Sequence, residues 1–173
     1  MTTTDMPERQ EPALDADEAT MLSGWLEYHR ETLAAKCSGL TDEQLRTASV
    51  PPSTLCLMGL MRHMSEVEQH WFANVFGGNS DGPYYFTDED PDGDFHPGPE
   101  ATQAEALATW RGEVANSRAH AAGHGLDEMS KGTSRNGSHF SLRWIYTHMI
   151  EEYARHNGHA DLLRQAVDGS TGD

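Results

Sequence analysis

The last long stretch of helical periodicity in this chain carries a carboxylate and an imidazole at a spacing that suits metal binding. Glu152 and His156, in the run EEYARHNGHADLLR, are four residues apart and so share one face of an α-helix. The same face carries the apolar residues Ile145, Met149 and Leu163. A carboxylate and an imidazole are costly to bury among apolar side chains, and a bound metal ion is a common way to make that burial favourable.

A third ligand has to come from another helix, and the best candidate is His63 in the run LMGLMRHMSEVEQHWF. Its helical neighbours Leu60 and Val67 are apolar, so His63 is predicted to point inward. His70 lies two turns away on the same face and is the competing choice. The predicted ligand set is His63, Glu152 and His156.

Three protein ligands leave a metal with open coordination positions, which is typical of catalytic sites. An open position can hold water, or a thiol that loses its proton near neutral pH when it binds a divalent metal. His148 and His159 lie about one turn on either side of the Glu152–His156 pair, so we expect them to be hydrogen-bond partners or proton shuttles. The residues alone leave the ordinary interpretation open, because Glu–His pairs also occur on solvent-facing helices.

The composition narrows the class of protein. The 173 residues fit one domain, and 12 basic against 28 acidic residues give a net charge of −16. Such a surface repels nucleic acid and anionic membranes, so neither is expected as a partner. No apolar run reaches the length of a membrane span, and the N-terminus does not resemble a signal peptide. We therefore expect a cytoplasmic protein in which Cys37 and Cys56 are reduced.

The periodicity predicts four long helices and no strands, which makes an all-α four-helix bundle the expected fold. The predicted helices run from about residue 15 to 38, 53 to 76, 102 to 120 and 141 to 167. The predicted domain covers residues 15–168, with flexible tails at 1–14 and 169–173. Each long helix has one tryptophan; Trp25, Trp71 and Trp144 are predicted to be mostly buried, and Trp110 less so.

Residues 77–100 form a long connection rich in Gly, Pro and Asp, and connections of this length in a compact domain are often functional. Its aromatic residues, Tyr84, Tyr85, Phe86 and Phe95, indicate that it packs onto the helices at a few points. We expect this connection to line any cavity beside the metal site.

The runs LMGLMRHMSEVEQHWF and THMIEEYARHNGHADLLR resemble the DinB-like superfamily, in particular its actinobacterial branch related to mycothiol-dependent maleylpyruvate isomerase. The resemblance covers about residues 20–164. It implies a four-helix bundle with a long crossover between helices 2 and 3, and a metal held by His63, Glu152 and His156. Many relatives have histidine where this chain has Glu152, and the His/Glu/His set matches the isomerase branch. The resemblance assigns no ligand role to His159.

Relatives of this kind use mycothiol, bacillithiol or glutathione as thiol cofactor, and many have no known activity. The resemblance therefore implies a zinc- or nickel-dependent transferase or isomerase that uses a thiol, mycothiol for this branch, on small electrophiles. The alternatives are a metal-dependent hydrolase, with water at the open position, and a non-catalytic metal-binding stress-response module. A homodimer formed through a flat helical face is a further expectation.

Overall fold

The computed structural model describes residues 9–171, so the predicted tails lie partly outside it, at residues 1–8 and 172–173. The long helices are α1 (Glu18–Cys37), α3 (Leu57–Glu68), α4 (Gln103–Ala121) and α5 (Leu142–Asp168), and the short helix α2 (Asp42–Arg46) follows α1. Helix α3 continues without a break as a π-helix over Gln69–Phe76. Helix α1 packs along α5, and α3 packs along α4. The predicted all-α four-helix bundle is confirmed.

Local sequence signals set the helix starts. Asp17 caps α1 by accepting a hydrogen bond from the Thr20 N–H, and Ser141 caps α5 in the same way through Trp144. Thr41 and Gln44 form a capping box at the start of α2. Helix α3 starts later than the predicted residue 53, since its cap is Cys56.

The long crossover between the second and third long helices is also confirmed, and it spans residues 77–102 without helix or strand. Within residues 9–171 the β-structure is limited to one isolated bridge, between Met129 and Ser141. No helix in this range is long and apolar enough to cross a membrane. Cys37 and Cys56 are both buried free thiols.

A buried polar network joins all four long helices. The guanidinium of Arg30 on α1 makes two hydrogen bonds of 2.7 Å to the carboxylate of Glu68 on α3, and both side chains are almost fully buried. The Tyr153 hydroxyl on α5 donates to the same carboxylate at 2.7 Å, and the indole N–H of Trp110 on α4 donates to the Tyr153 oxygen at 2.8 Å. Each of these four side chains has a hydrogen-bond partner within the network, so the polar groups are tolerated in the core.

The charges in this network follow from their surroundings. Burial alone would lower the pKa of Arg30, but the adjacent carboxylate of Glu68 outweighs burial and raises that pKa, so Arg30 is charged. Burial, reinforced by the charge of Glu68, raises the pKa of Tyr153 well above its ordinary value, so its hydroxyl keeps its proton and donates.

The predicted burial of the tryptophans is wrong at three positions. Trp110 is only 3% exposed, because Tyr153 accepts a hydrogen bond from its indole N–H inside the core. Trp25 and Trp144 are 41% and 42% exposed, and Trp71 is half-buried. Trp25 packs edge-on against Tyr28 on the outer side of α1.

We expect Tyr153→Phe to lower the free energy of unfolding by about 1–3 kcal/mol, because it leaves the buried Trp110 N–H without an acceptor. Urea unfolding followed by circular dichroism measures this change. The matched control is Tyr146→Phe on the same helix, where Tyr146 is half-buried and packs on Phe72; we expect a change below about 0.5 kcal/mol. Equal losses in the two variants would contradict a structural role for the network.

Candidate metal centre

Helices α3 and α5 bring His63, Glu152 and His156 together. Each offers one ligand atom, and the three atoms lie within 4.8 Å of one another. The His63 and His156 rings are 4.7 Å apart between centroids, and His156 Nε2 is 3.4 Å from a Glu152 carboxylate oxygen. His156 is buried, whereas His63 and Glu152 are partly accessible. The group is therefore assembled at the edge of the core, with one side open.

The donor atoms of this group suit a divalent transition metal. Two bonds of about 2.1 Å at a tetrahedral angle separate two ligand atoms by about 3.4 Å, which matches the His156–Glu152 distance. Two imidazole nitrogens and one carboxylate oxygen are also a common donor set for zinc. The three side chains therefore fit such an ion with small adjustments of His63.

Electrostatics keep Glu152 ready to act as a ligand. The hydrogen bond from His156 lowers the pKa of Glu152 against the opposing effect of burial, and the charges of His148, His156 and His63 lower it further. Glu152 is therefore ionised at neutral pH.

The two flanking histidines contact the ligands from opposite sides. His148 Nε2 lies 3.5 Å from the second carboxylate oxygen of Glu152. His159 Nδ1 lies 3.4 Å from Nδ1 of His156, and burial lowers the pKa of His159. His148, Glu151 and Glu152 form a second group with metal-ligand spacing, but all three come from one helix and Glu151 is exposed. His148 and His159 are thus placed to orient Glu152 and His156.

His70, the alternative to His63, lines the same cavity but is not part of the His63–Glu152–His156 group. It is exposed and packs edge-on against Trp71, with ring centroids 5.1 Å apart. It is the second residue of the π-helix and lies about two turns beyond His63 along the helix axis, which separates it from Glu152 and His156.

The crossover supplies a residue that the sequence did not single out. Asp94 is 5% exposed, and its carboxylate lies 2.7 Å from Nδ1 of His63. Because a carboxylate only accepts, Nδ1 carries the hydrogen and the Nε2 lone pair is left for a metal. Phe95 stacks on the other side of the His63 ring, at 4.3 Å between centroids. Asp94 and Phe95 therefore fix both the tautomer and the orientation of His63.

Helix α3 holds the crossover in place along the face that carries His63. Arg62 donates to the Gly93 carbonyl at 2.9 Å, and its guanidinium lies 4.2 Å from the centre of the Tyr85 ring. Glu66 accepts hydrogen bonds of 2.7 Å from the backbone N–H groups of Tyr84 and Tyr85. The expectation that this connection packs down at its aromatic residues is met at Tyr85 and Phe95.

A cavity of about 870 Å³ opens beside His63. Its walls come from the end of α3, the π-helix, the crossover, and residues 134–136 of the loop before α5. That loop is tied to the end of the π-helix, because Lys131 and Gly132 donate hydrogen bonds to the carbonyls of Phe76 and Val75.

The sequence profile of the mycothiol-S-transferase family matches residues 21–169. The chain belongs to this family. No curated protein sequence matches it significantly. In structure it is similar to a conserved protein from Enterococcus faecalis, with a TM-score of 0.60 and 14% sequence identity over 90% of this chain and 100% of the other. That similarity shows the shared fold, and the family match confirms the family resemblance of the sequence.

For this member of the mycothiol-S-transferase family, Gly59 is expected to be essential for seating the crossover. A Cβ atom at Gly59 would lie 2.7 Å from the backbone oxygen of Phe95, so Gly59→Ala should lower the free energy of unfolding by about 1–3 kcal/mol. Gly112→Ala on α4 is the matched control, because a Cβ there meets open space and should stabilise the protein by about 0.5–1 kcal/mol. Urea unfolding of both variants tests this, and a Gly59→Ala protein as stable as the control would contradict it.

Asp94→Ala is expected to weaken metal binding about 10- to 100-fold, because His63 would lose the partner that fixes its tautomer. Competition with a chromogenic chelator measures the affinity for zinc and nickel. The control is Asp92→Ala, an exposed residue of the same segment, which should bind metal like the parent protein. If both variants keep the parent affinity, Asp94 does not orient a ligand.

Proposed function

We propose that this protein is a divalent-metal-dependent mycothiol S-transferase that acts on small electrophiles, with zinc or nickel held by His63, Glu152 and His156. The observation that carries the proposal is the convergence of these three side chains, of which His63 lines a large cavity, in a chain that belongs to the mycothiol-S-transferase family. Each side chain has a supporting contact, from Asp94, His148 or His159.

A bound divalent metal would lower the pKa of a thiol and keep the thiolate in place near neutral pH. The protein supplies the rest. His63 and His156 would each offer an imidazole nitrogen to the metal, and Glu152, whose carboxylate also contacts His148, would offer an oxygen. His148 and His159 are proposed to assist proton movement, while the crossover shields His63 from water on one side.

The overall reaction conserves atoms and charge. A sulfur–carbon bond forms at the electrophilic carbon, the carbon–leaving-group bond breaks, and the leaving group takes the bonding pair. The thiol proton passes to solvent or to a neutral histidine at the site.

The charge of the cavity supports mycothiol over the other thiols. Mycothiol joins cysteine to an amino sugar and inositol, so it has many hydroxyls and no free carboxylate, whereas glutathione and bacillithiol carry carboxylates. Acidic side chains that line the cavity, among them Asp81, Asp88 and Asp92, disfavour a carboxylate and can accept hydrogen bonds from hydroxyls.

The hydrolase and the non-catalytic binding module are the alternatives. A hydrolase would use the same ligands with water at the open position, and a module would bind metal alone. The size of the cavity and the family match favour a transferase. A cytoplasmic location and a homodimer stay part of the proposal.

We expect mycothiol to raise the melting temperature only of the metal-loaded protein, because the thiolate binds through the metal. Binding to the folded state adds about 2.7 kcal/mol of stability at a hundredfold excess over Kd. The measurement is a thermal-shift series with zinc, nickel or no metal, crossed with mycothiol, bacillithiol, glutathione or no thiol.

His156→Ala should lose both metal binding and the thiol-dependent shift, while His124→Ala, at a histidine that packs against Phe76, should keep both. If metal raises the melting temperature and no thiol raises it further, the result would instead support the binding module. Inhibition by small anions without any thiol effect would support the hydrolase. Full metal occupancy in His156→Ala would show that the ligand set is wrong.

A further inference from the structure

Three aromatic side chains form a continuous surface that meets the cavity at Trp71. Trp71 of the π-helix lines the cavity, and its ring lies 5.2 Å from Phe140 and 5.0 Å from Trp144. Phe140 and Trp144 are 4.4 Å apart. We call Trp71, Phe140 and Trp144 the aromatic wall.

The aromatic wall is accessible to small molecules. Trp144 is 42% exposed, and Trp71 and Phe140 are half-buried, whereas Trp110 of the core is almost inaccessible. Large aromatic side chains that stay exposed next to a cavity are typical of a ligand-binding surface. The wall therefore offers apolar area that the fold itself does not cover.

The aromatic wall is also connected to the candidate metal centre. His148 stacks on Trp144 with a centroid distance of 4.9 Å and an angle of 25°, and it lies 4.7 Å from Trp71. The same imidazole contacts Glu152. A planar group on the wall would thus lie near the ligands without displacing them.

The charges around the cavity also favour ligands without negative charge. Of the residues that line it within the described part of the chain, five are carboxylic acids, Glu66, Asp81, Asp88, Asp92 and Asp94, and one, Arg135, is a permanent cation. The carboxylates of Glu66 and Asp94 are paired with the Tyr84 N–H and with His63. Those of Asp81, Asp88 and Asp92 are exposed to solvent. Several negative charges around a partly enclosed space raise the cost of bringing in another anion.

We propose that the electrophile is a planar aromatic molecule without negative charge, which packs on the aromatic wall, and that electrophiles bearing carboxylates are rejected by the acidic lining. This inference rests on the proposed transferase function and names its second substrate. Attraction to the wall and repulsion from the carboxylates act together, as is usual where a site discriminates between related ligands. Rejection of carboxylates would distinguish the substrate of this protein from that of isomerases that act on a dicarboxylate.

The test compares a neutral and an anionic substrate with the same reactive group, methyl 4-(chloromethyl)benzoate and 4-(chloromethyl)benzoate, with zinc-loaded protein and mycothiol. In both, sulfur displaces chloride at the benzylic carbon, so the chemistry is matched. After correction for the uncatalysed rate, we expect kcat/KM for the ester to exceed that for the acid by at least about tenfold. The ratio should shrink as salt is added, because salt screens exposed charges.

Two sets of variants assign the effect to residues. Asp88→Lys combined with Asp92→Lys should improve the reaction of the acid and reduce the ester-to-acid ratio several-fold. Trp144→Ala should raise KM for the ester, because Trp144 packs against Trp71 of the cavity lining. Trp25→Ala, at an equally exposed tryptophan of α1 that is not part of the aromatic wall, should not. An unchanged ratio in the double variant, or equal effects of the two tryptophan variants, would overturn the inference.

A binding measurement separates this inference from the proposed function. The unreactive analogues methyl 4-methylbenzoate and 4-methylbenzoate are titrated against zinc-loaded protein without thiol by ligand-observed NMR. Tighter binding of the ester that is lost in Trp144→Ala and kept in Trp25→Ala supports the inference. If such binding is seen but no conjugate forms in the activity assay, the transferase proposal fails while the inference stands. Equal binding of the two analogues overturns the inference, whatever the activity.

Discussion

The buried pair between Arg30 and Glu68 sets the geometry on which the rest of the structure depends. Two charged side chains inside a core are tolerated only where the hydrogen bonds are complete, and removing one partner costs on the order of 3–5 kcal/mol. Here Tyr153 and Trp110 complete the network from α5 and α4. Each of the four long helices therefore has one defined axial position relative to the others.

The core network also constrains the candidate metal centre, because residues of both lie close together on the same helices. Glu68 lies five residues after His63 on α3, and Tyr153 lies between Glu152 and His156 on α5. The hydrogen bond from Tyr153 to Glu68 thus fixes how α3 and α5 approach each other next to the three candidate ligands. If one helix slid by a single turn, the core network would break and the candidate ligands would move apart at the same time. The crossover adds a second restraint from outside, since Asp94 and Phe95 hold the His63 ring from two sides.

The ligand group was accessible to sequence reasoning because helical periodicity reports which residues share a face. Glu152 and His156 are local on one helix, and His63 lies on an apolar face, so their meeting needed only the assumption of a bundle. Asp94 was not accessible in this way, because irregular backbone has no period and its position depends on contacts made far along the chain. The aromatic residues around it did predict that the connection would pack down.

The errors have a common physical origin. Burial was inferred for tryptophans from hydrophobicity alone, but Trp110 is buried because Tyr153 accepts its indole hydrogen, and Trp144 stays exposed in an aromatic surface beside the cavity.

The candidate ligands and part of the cavity wall come from elements that are held in place in different ways. The candidate ligands lie on regular α-helix, within the elements fixed by the core network. His63 and the end of α3 line part of the cavity, and the rest of its wall includes Trp71 of the π-helix and residues 134–136 of a loop tied to the last carbonyls of that helix. Loops held by backbone hydrogen bonds accept side-chain replacement with little cost to the fold, and they are where new specificities usually arise. Descendants of one ancestral protein can therefore keep the same histidines and glutamate while they diversify in the molecules they accept.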